Sequence, residues 1–555
     1  MSTRYQPALN LVDRFLQDRL VSRIWAGEIG AWGAAPGSGE AKSITSRLGW
    51  LHTGETMRPH LERLAALGRA ARDEQVEAVY LLGMGGSSLC AEVLRSVLGV
   101  ADGSPQLYVL DTTDEKTITT VAGRMNPART WFLVSSKSGG TVEVASMERF
   151  FWSKVQPVLG EHTGRQFIAI TDPRTALNTL AESRQYREVF INPADIGGRF
   201  SALSLFGLVP TALIGRSAEH LLHAGDTIAD GCRQENAVNP GLQLGAFIGA
   251  TASNGRDKLT VLLPPSLADL GLWIEQLIAE STGKHDKGAL PVVDEPIGRP
   301  DQYGADRAFV VLGTDRDEVD GHAVAALESA GHPVMRISTR LDAIGAEFFR
   351  WEFATAVAGA ALGINPFDEP NVSEAKEKTK ALLGSLDASG HLPQHAPTGS
   401  SGSVDVFSTR FSGGSPADVV RAALATLSPP DYVAFLSYLP PGSEIAQAVA
   451  EIRAAIREHF HVASTFGVGP RYLHSTGQYH KGGPNTALAF VLTADDETQT
   501  AIPEVGYSFS TLKRAQALGD TETLEAHDRR TVRIHVKDAA HPAAALERLF
   551  AEALR

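Results

Sequence analysis

Cysteine is nearly absent: Cys90 and Cys232 are the two in 555 residues. Two cysteines cannot build a disulfide framework or a C-x-x-C metal site, and a reducing cytoplasm is the compartment they fit. Basic charge is also short, with 51 Lys and Arg against 64 Asp and Glu and a formal net charge of −13. That balance argues against nucleic-acid binding, which needs a basic stripe, so an anionic ligand must be held by a local cluster of donors. No apolar run nears the roughly 20 residues that cross a bilayer. The opening MSTRYQPALN lacks the charged-then-apolar order of a secretory signal. The expectation is a cytoplasmic protein with neither membrane nor nucleic acid among its partners.

What is present is an ordinary apolar fraction, 43%, over a length that suggests three or four units at roughly 100–200 residues each. Residues 1–75 read as helical, from amphipathic stretches such as LNLVDRFLQDRLVSRIW and HLERLAALGRAARDE. From 76 the pattern alternates: VEAVYLLG strand, CAEVLRSVLG helix, QLYVLD and TWFLVSS strands, TVEVASMERFFWSKV helix, QFIAIT strand. A second such unit holds KLTVLLP, LADLGLWIEQLIAES, AFVVLG and VMRIS. Residues 385–416 are rich in Gly, Ser and Pro and read as linker or excursion. A third piece holds YVAFLSYL, SEIAQAVAEIRAAIREHF, ALAFVLT and VRIHV. The expected fold class is α/β, with doubly wound parallel-sheet domains over 76–235 and 236–400. A helical segment (1–75) precedes them and an α/β domain (401–555) follows.

Two strand-to-helix loops have the chemistry of anion sites. In GMGGSS (83–88), glycines such as Gly86 allow close backbone approach, and Ser87 opens a helix whose amides carry positive charge. A dinucleotide loop competes, with Asp111 as the ribose acid, but its third glycine is replaced by Ser88. The second is WFLVSSKSGGTVEV (131–144), where Ser136, Ser138 and Thr141 offer hydroxyls and Lys137 the one formal charge. Helix capping by Ser138 or Thr141 is the plainer alternative. In an open parallel sheet both loops line one crevice.

GMGGSS followed by SSKSGGT resembles the first sugar-isomerase domain of the phosphoglucose isomerase family. GGRFSALSLFGL (197–208), EQLIAESTGK (275–284), VVDEP (292–296) and NPFDEPNVSEAK (365–376) resemble its later signatures, in order. The resemblance covers roughly residues 76–380. It is nearer still to the isomerase half of transaldolase/phosphoglucose isomerase fusions, through the tail LHSTGQYHKGG (473–483). It implies two sugar-isomerase (SIS-type) domains that interconvert glucose 6-phosphate and fructose 6-phosphate without metal or organic cofactor, and a homodimer. A transaldolase barrel takes about 250 residues and only about 75 precede the first α/β unit, so that half is expected to be missing.

Isomerisation through an enediol needs a base between C2 and C1, a cation for the enediolate and an acid/base for ring opening. For the base, Glu295 follows a short apolar strand and aligns with the family's GEPG glutamate, although DEPIGRPDQYG departs from the usual Gly-Thr-Asn continuation. Glu280 is the alternative base. Arg199 in GGRFS is the enediolate candidate, with a structural ion pair as its plainer reading. Val372, Lys376, Thr379 and Leu383 share a helical stripe, so Lys376 borders an inward face and aligns with the family's active-site lysine. His480 and His474 stand in what reads as a Gly-rich loop between strands. One of them supplies the ring-opening group (catalytic for His480, substrate-binding for His474), or both belong to a surface loop. Without a third ligand they make no zinc site.

Two other functions compete with the isomerase. A non-catalytic sugar-phosphate sensor needs only the phosphate loops, and a nicotinamide-dependent oxidoreductase would use GMGGSS alone. An isomerase that also accepts mannose 6-phosphate is a variant of the first reading.

Overall fold

The computed structural model describes residues 1–386, 392, 395–538 and 540–555. Its sixteen strands fall into three sheets, and each sheet has helices on both faces. After β1 (Ser2–Thr3), the strands β2 (Ala78–Gly83), β3 (Gln106–Leu110), β4 (Thr130–Ser135), β5 (Phe167–Thr171) and β6 (Glu188–Ile191) form a parallel sheet. Its order is β3-β2-β4-β5-β6. β2 and β4 are almost continuously apolar because both their faces are covered. The chain runs outward from β2 to β3 and then returns to β4, so the winding reverses between β2 and β4. Loops at the carboxyl ends of strands flanking such a reversal enclose a crevice.

The second sheet contains β7 (Lys258–Leu262), β8 (Leu290–Val292), β9 (Arg307–Gly313) and β10 (Val334–Ser338), in the order β1-β10-β9-β7-β8. β1 pairs antiparallel on the edge, a strand within the stretch expected to be helical. The rest of that stretch is helices and short turns. Its apolar faces, including Leu11, Phe15, Ile24 and Trp50, join one core with both sheets.

The third sheet is β11 (Gly399–Ser400), β12 (Val404–Phe407), β13 (Tyr432–Ser437), β14 (Ala463–Val468), β15 (Ala487–Ala494) and β16 (Arg530–Val536). Its order is β11-β12-β16-β15-β13-β14. Part of the expected excursion 385–416 is therefore sheet edge: β12 pairs antiparallel with β16, its valines facing the core. Residues 387–391, 393 and 394 of that excursion lie outside the described residues.

This third unit is packed against the other two. Tyr432, Ala434 and Leu436 of β13 share a core with Leu290 and Val292 of β8. Ile502, Phe509 and Leu512 join the core under the first sheet. The loop after β14 is thereby brought over the crevice between β2 and β4.

Candidate active site

A cavity of about 350 Å³ opens at that crevice, lined by Ser87, Lys137, Thr141, Arg199, Glu280 and His474 among others. Gly83 and Ser135 are register partners on β2 and β4, so the two serine-rich loops leave the sheet at the same level. Ser135 Oγ donates to the Ser87 carbonyl at 2.7 Å and ties the loops together. Gly86 lines the cavity, but its requirement for glycine comes from the protein: a Cβ there would stand 2.1 Å from the Gly198 carbonyl oxygen.

The loop 135–141 divides its hydroxyls. Thr141 is the N-cap residue of helix Val142–Leu159 yet makes no side-chain cap, and Ser138 accepts only a long 3.4 Å bond from the Gly140 amide. Capping therefore does not occupy these groups, and both line the cavity. Ser136 differs from the sequence reading. It is buried behind the loop with its Oγ 3.1 Å from Thr141 Oγ1, so it supports Thr141 and does not itself line the cavity. Lys137 lines the cavity but forms an ion pair with Asp172, which offsets the charge the sequence suggested was free.

Arg199 is held on every side. Its Nε donates to Ser281 Oγ at 2.7 Å, and its Nη2 to the carbonyls of Pro366 and Asp368 at 2.8 Å. Nη1 meets Glu369 at 2.9 Å and Glu280 Oε1 at 3.4 Å. Glu369 also takes Arg47 Nη2 at 3.0 Å. Burial pushes both carboxyls up. At Glu369 the two guanidiniums outweigh burial and the group ends below its ordinary value. At Glu280 burial, with the charge of Glu369, outweighs Arg199 and the group ends above it. Such a separation suits a base that must give back the proton it takes.

Helix Leu270–Thr282 is buried at every position but Leu272, so its polar residues Gln276 and Glu280 need specific partners. One turn apart, they share a face: Gln276 Nε2 donates to Glu280 Oε2 at 3.0 Å and to the His474 carbonyl at 2.8 Å. His474 comes from the turn after β14, and its Nε2 lies 3.0 Å from Glu143 Oε1 in the first turn of helix Val142–Leu159. Burial alone would raise the Glu143 carboxyl, but His474 and then Lys376 hold it below its ordinary value. Lys376 lines the cavity, is exposed, and has no ion pair or side-chain hydrogen bond among the described residues.

Two expected catalytic residues are elsewhere. Glu295 is a fully buried ion-pair partner, 3.0 Å from Arg307 and 3.6 Å from Arg457, between the second and third units. Burial would raise its carboxyl, but these arginines and Arg453 hold it below its ordinary value. The carboxylate is needed between the guanidiniums and does not reach the cavity. His480 is not in a loop but in helix Gly477–Gly482, where its Nδ1 meets the Tyr432 hydroxyl at 2.8 Å. Burial, Lys481 and Arg529 push it down to about 3, so it is a neutral core residue.

Glu143, Gln276, Glu369 and Arg47 were not read from sequence. Glu143 had a signal, an acid two residues beyond Thr141 at a helix start, and Gln276 another, an i,i+4 partner of Glu280. Arg47 had none, because only packing brings its segment to the cavity. Among the described residues no cluster of three or more His, Cys, Asp or Glu is placed to hold a metal ion, and no helix is long and apolar enough to cross a membrane.

Residues 52–298 match the phosphoglucose isomerase family, a stretch that includes both serine-rich loops, Arg199 and Glu280. A glucose-6-phosphate isomerase from Rubrobacter xylanophilus is 28% identical over 385 residues, 59% of this chain and 87% of the relative. A hypothetical protein from Thermus thermophilus shares the fold at TM-score 0.59 and 22% identity, over 68% of this chain and 99% of that one. The fold of a glucose-6-phosphate isomerase from Chlamydia trachomatis gives TM-score 0.54 and 20% identity, over 67% and 85%. The stretch 52–298 is thus of the phosphoglucose isomerase family, and the chain is similar to curated glucose-6-phosphate isomerases.

Proposed function

We propose that this chain is a glucose-6-phosphate isomerase, interconverting glucose 6-phosphate and fructose 6-phosphate. The observation that carries the reading is the convergence of Glu280, Arg199 and His474 on a cavity whose far wall is the tied serine-rich loops. Curated relatives that bear this name support it. The phosphate is received by the hydroxyls of Ser87, Ser138 and Thr141, by amides at the start of helix Val142–Leu159, and by Lys137. The sugar then extends toward Glu280.

Ring opening requires a proton on the ring oxygen and removal of one from O1. His474, oriented by Glu143, does this acid/base work, and the ammonium of Lys376, which lines the cavity, supports charge on the same oxygens. Glu280 takes the C2 proton of the open aldose, electrons move into the C1–C2 bond, and the enediolate oxygens face the immobile Arg199. The O2 proton passes to O1, the same carboxyl delivers its proton to C1 as the carbonyl forms at C2, and ring closure reverses the first step. A sensor has no use for this base and guanidinium, and on that ground the catalytic reading is favoured.

The proposal places the enzyme in a reducing cytoplasm, which its two buried free thiols fit. A homodimer is the form the resemblance suggests. The test is incubation with fructose 6-phosphate and an excess of a glucose 6-phosphate dehydrogenase reporter. Steady reporter reduction is expected, and none from folded protein overturns the reading.

A further inference from the structure

Helix Phe509–Ala526 buries the long or charged polar side chains Lys513, Gln516 and Asp520 on one face, beside the hydroxyl residues Ser510 and Thr523. Such a stripe is unfavourable unless each group has its own partner, and here the partners of Gln516 and Asp520 include Glu143, which contacts His474, and Tyr472 of the same turn. Lys513 Nζ reaches Asp114 at 2.9 Å and Asp496 at 2.5 Å, pinning the helix to the loop after β3. Asp520 accepts from the Tyr472 hydroxyl at 2.7 Å and lies 2.6 Å from Lys481, pinning the turn that carries His474.

Between these anchors, Gln516 Oε1 accepts from Thr113 Oγ1 at 2.9 Å, and its Nε2 donates to Glu143 Oε1 at 2.7 Å. The same carboxylate oxygen meets His474 Nε2. The amide orientation follows physically, since the opposite flip would set two oxygens against each other at Glu143.

We infer that Gln516 is a positioning residue for ring opening: it aims the Glu143 carboxylate at His474, and through it presents the imidazole to the sugar ring. The inference rests on the reading of His474 as the ring-opening group. Thr113 fixes Gln516, Gln516 fixes Glu143, and Glu143 sets the orientation and tautomer of the imidazole. The charged or titratable groups facing Glu143 are His474, Lys376 and the phenols of Tyr438 and Tyr507. Beyond Gln516 stand Lys513 and Asp114.

The test compares fructose 6-phosphate with its 5-deoxy analogue, which lacks the hydroxyl that closes the ring. Turnover of both is followed as exchange of the C1 hydrogen in deuterium oxide. Gln516→Leu is expected to lower kcat for fructose 6-phosphate at least about tenfold while the open-chain analogue changes less than about threefold. A parallel fall for both, or no fall for either, overturns the inference. Gln516→Glu is the isosteric control: its carboxyl shares a proton with Glu143 at low pH and repels it at high pH. Its kcat for fructose 6-phosphate should decline with rising pH while the analogue's profile keeps the wild-type shape. An unchanged profile overturns the inference even where the leucine variant does not fold. Wild-type protein that turns over neither substrate overturns the isomerase reading and this inference together, whereas the variant outcomes overturn the inference alone.

Discussion

Glu143 and His474 meet at 3.0 Å although 331 positions separate them in the chain. The first belongs to a helix of the first sheet, the second to a turn leaving the third. Every residue assigned to the reaction thus comes from one chain.

It follows that activity needs no second subunit. Specific activity should stay constant through an about hundredfold dilution that spans any dissociation of an oligomer. A fall on dilution, with a matching change in sedimentation, would show that a partner completes the site.

Glu280→Gln should lower kcat by at least about a thousandfold, since a positioned general base contributes on that scale. Binding of 5-phosphoarabinonate, measured by calorimetry, should survive. Retained turnover would transfer the base to another carboxylate.

Glu295→Gln should act on stability and leave chemistry alone. Removing one partner of a buried ion pair costs about 3–5 kcal/mol, while kcat per folded molecule stays near wild type. Its folded-state carboxyl lies below its ordinary value. The ion pairs therefore stabilise the fold above the unfolded-state value, and that contribution is lost as pH falls through the folded-state one. Urea unfolding near neutral pH and in acid should show the wild type losing this increment and the variant lacking it throughout.

The acid limb of kcat/KM should belong to Glu280, which must be ionised to act and whose carboxyl is raised by burial and by Glu369. Activity should fall with pH at a midpoint above the ordinary glutamate value of about 4.3. Glu369→Gln removes a like charge, favours the ionised base and should move that limb to lower pH. A limb that moves upward instead would contradict the assignment.

At the phosphate end, Lys137→Met should raise KM and Asp172→Asn should lower it, each by about two- to fivefold, with kcat nearly unchanged. The opposite signs follow because Asp172 offsets the lysine in the free protein. Both shifts should shrink in high salt.

Local pattern made much of this molecule legible. The continuous apolar runs of β2 and β4 and the polar loops that end them are properties of short segments. So is the alternation that implies parallel sheets. The β14 strand and helix Phe509–Ala526 were not read. The expected excursion likewise conceals β12, because a short edge strand in a Gly- and Ser-rich stretch carries little periodicity.

Which glutamate faces the cavity was not a local property. Glu280 and Glu295 follow similar apolar segments. Glu295 is drawn between Arg307 and Arg457, whereas Glu280 is directed at Arg199 by an almost fully buried helix. The histidines divide the same way: His480 is turned into the core against Tyr432, and His474 is carried to Glu143 by docking of the third sheet on the other two. Residue type and spacing determined that a phosphate loop, a carboxylate, a guanidinium and an imidazole were available. Only tertiary packing decided which of them meet, because desolvation and opposite charge act between neighbours in space, whatever their separation in the chain.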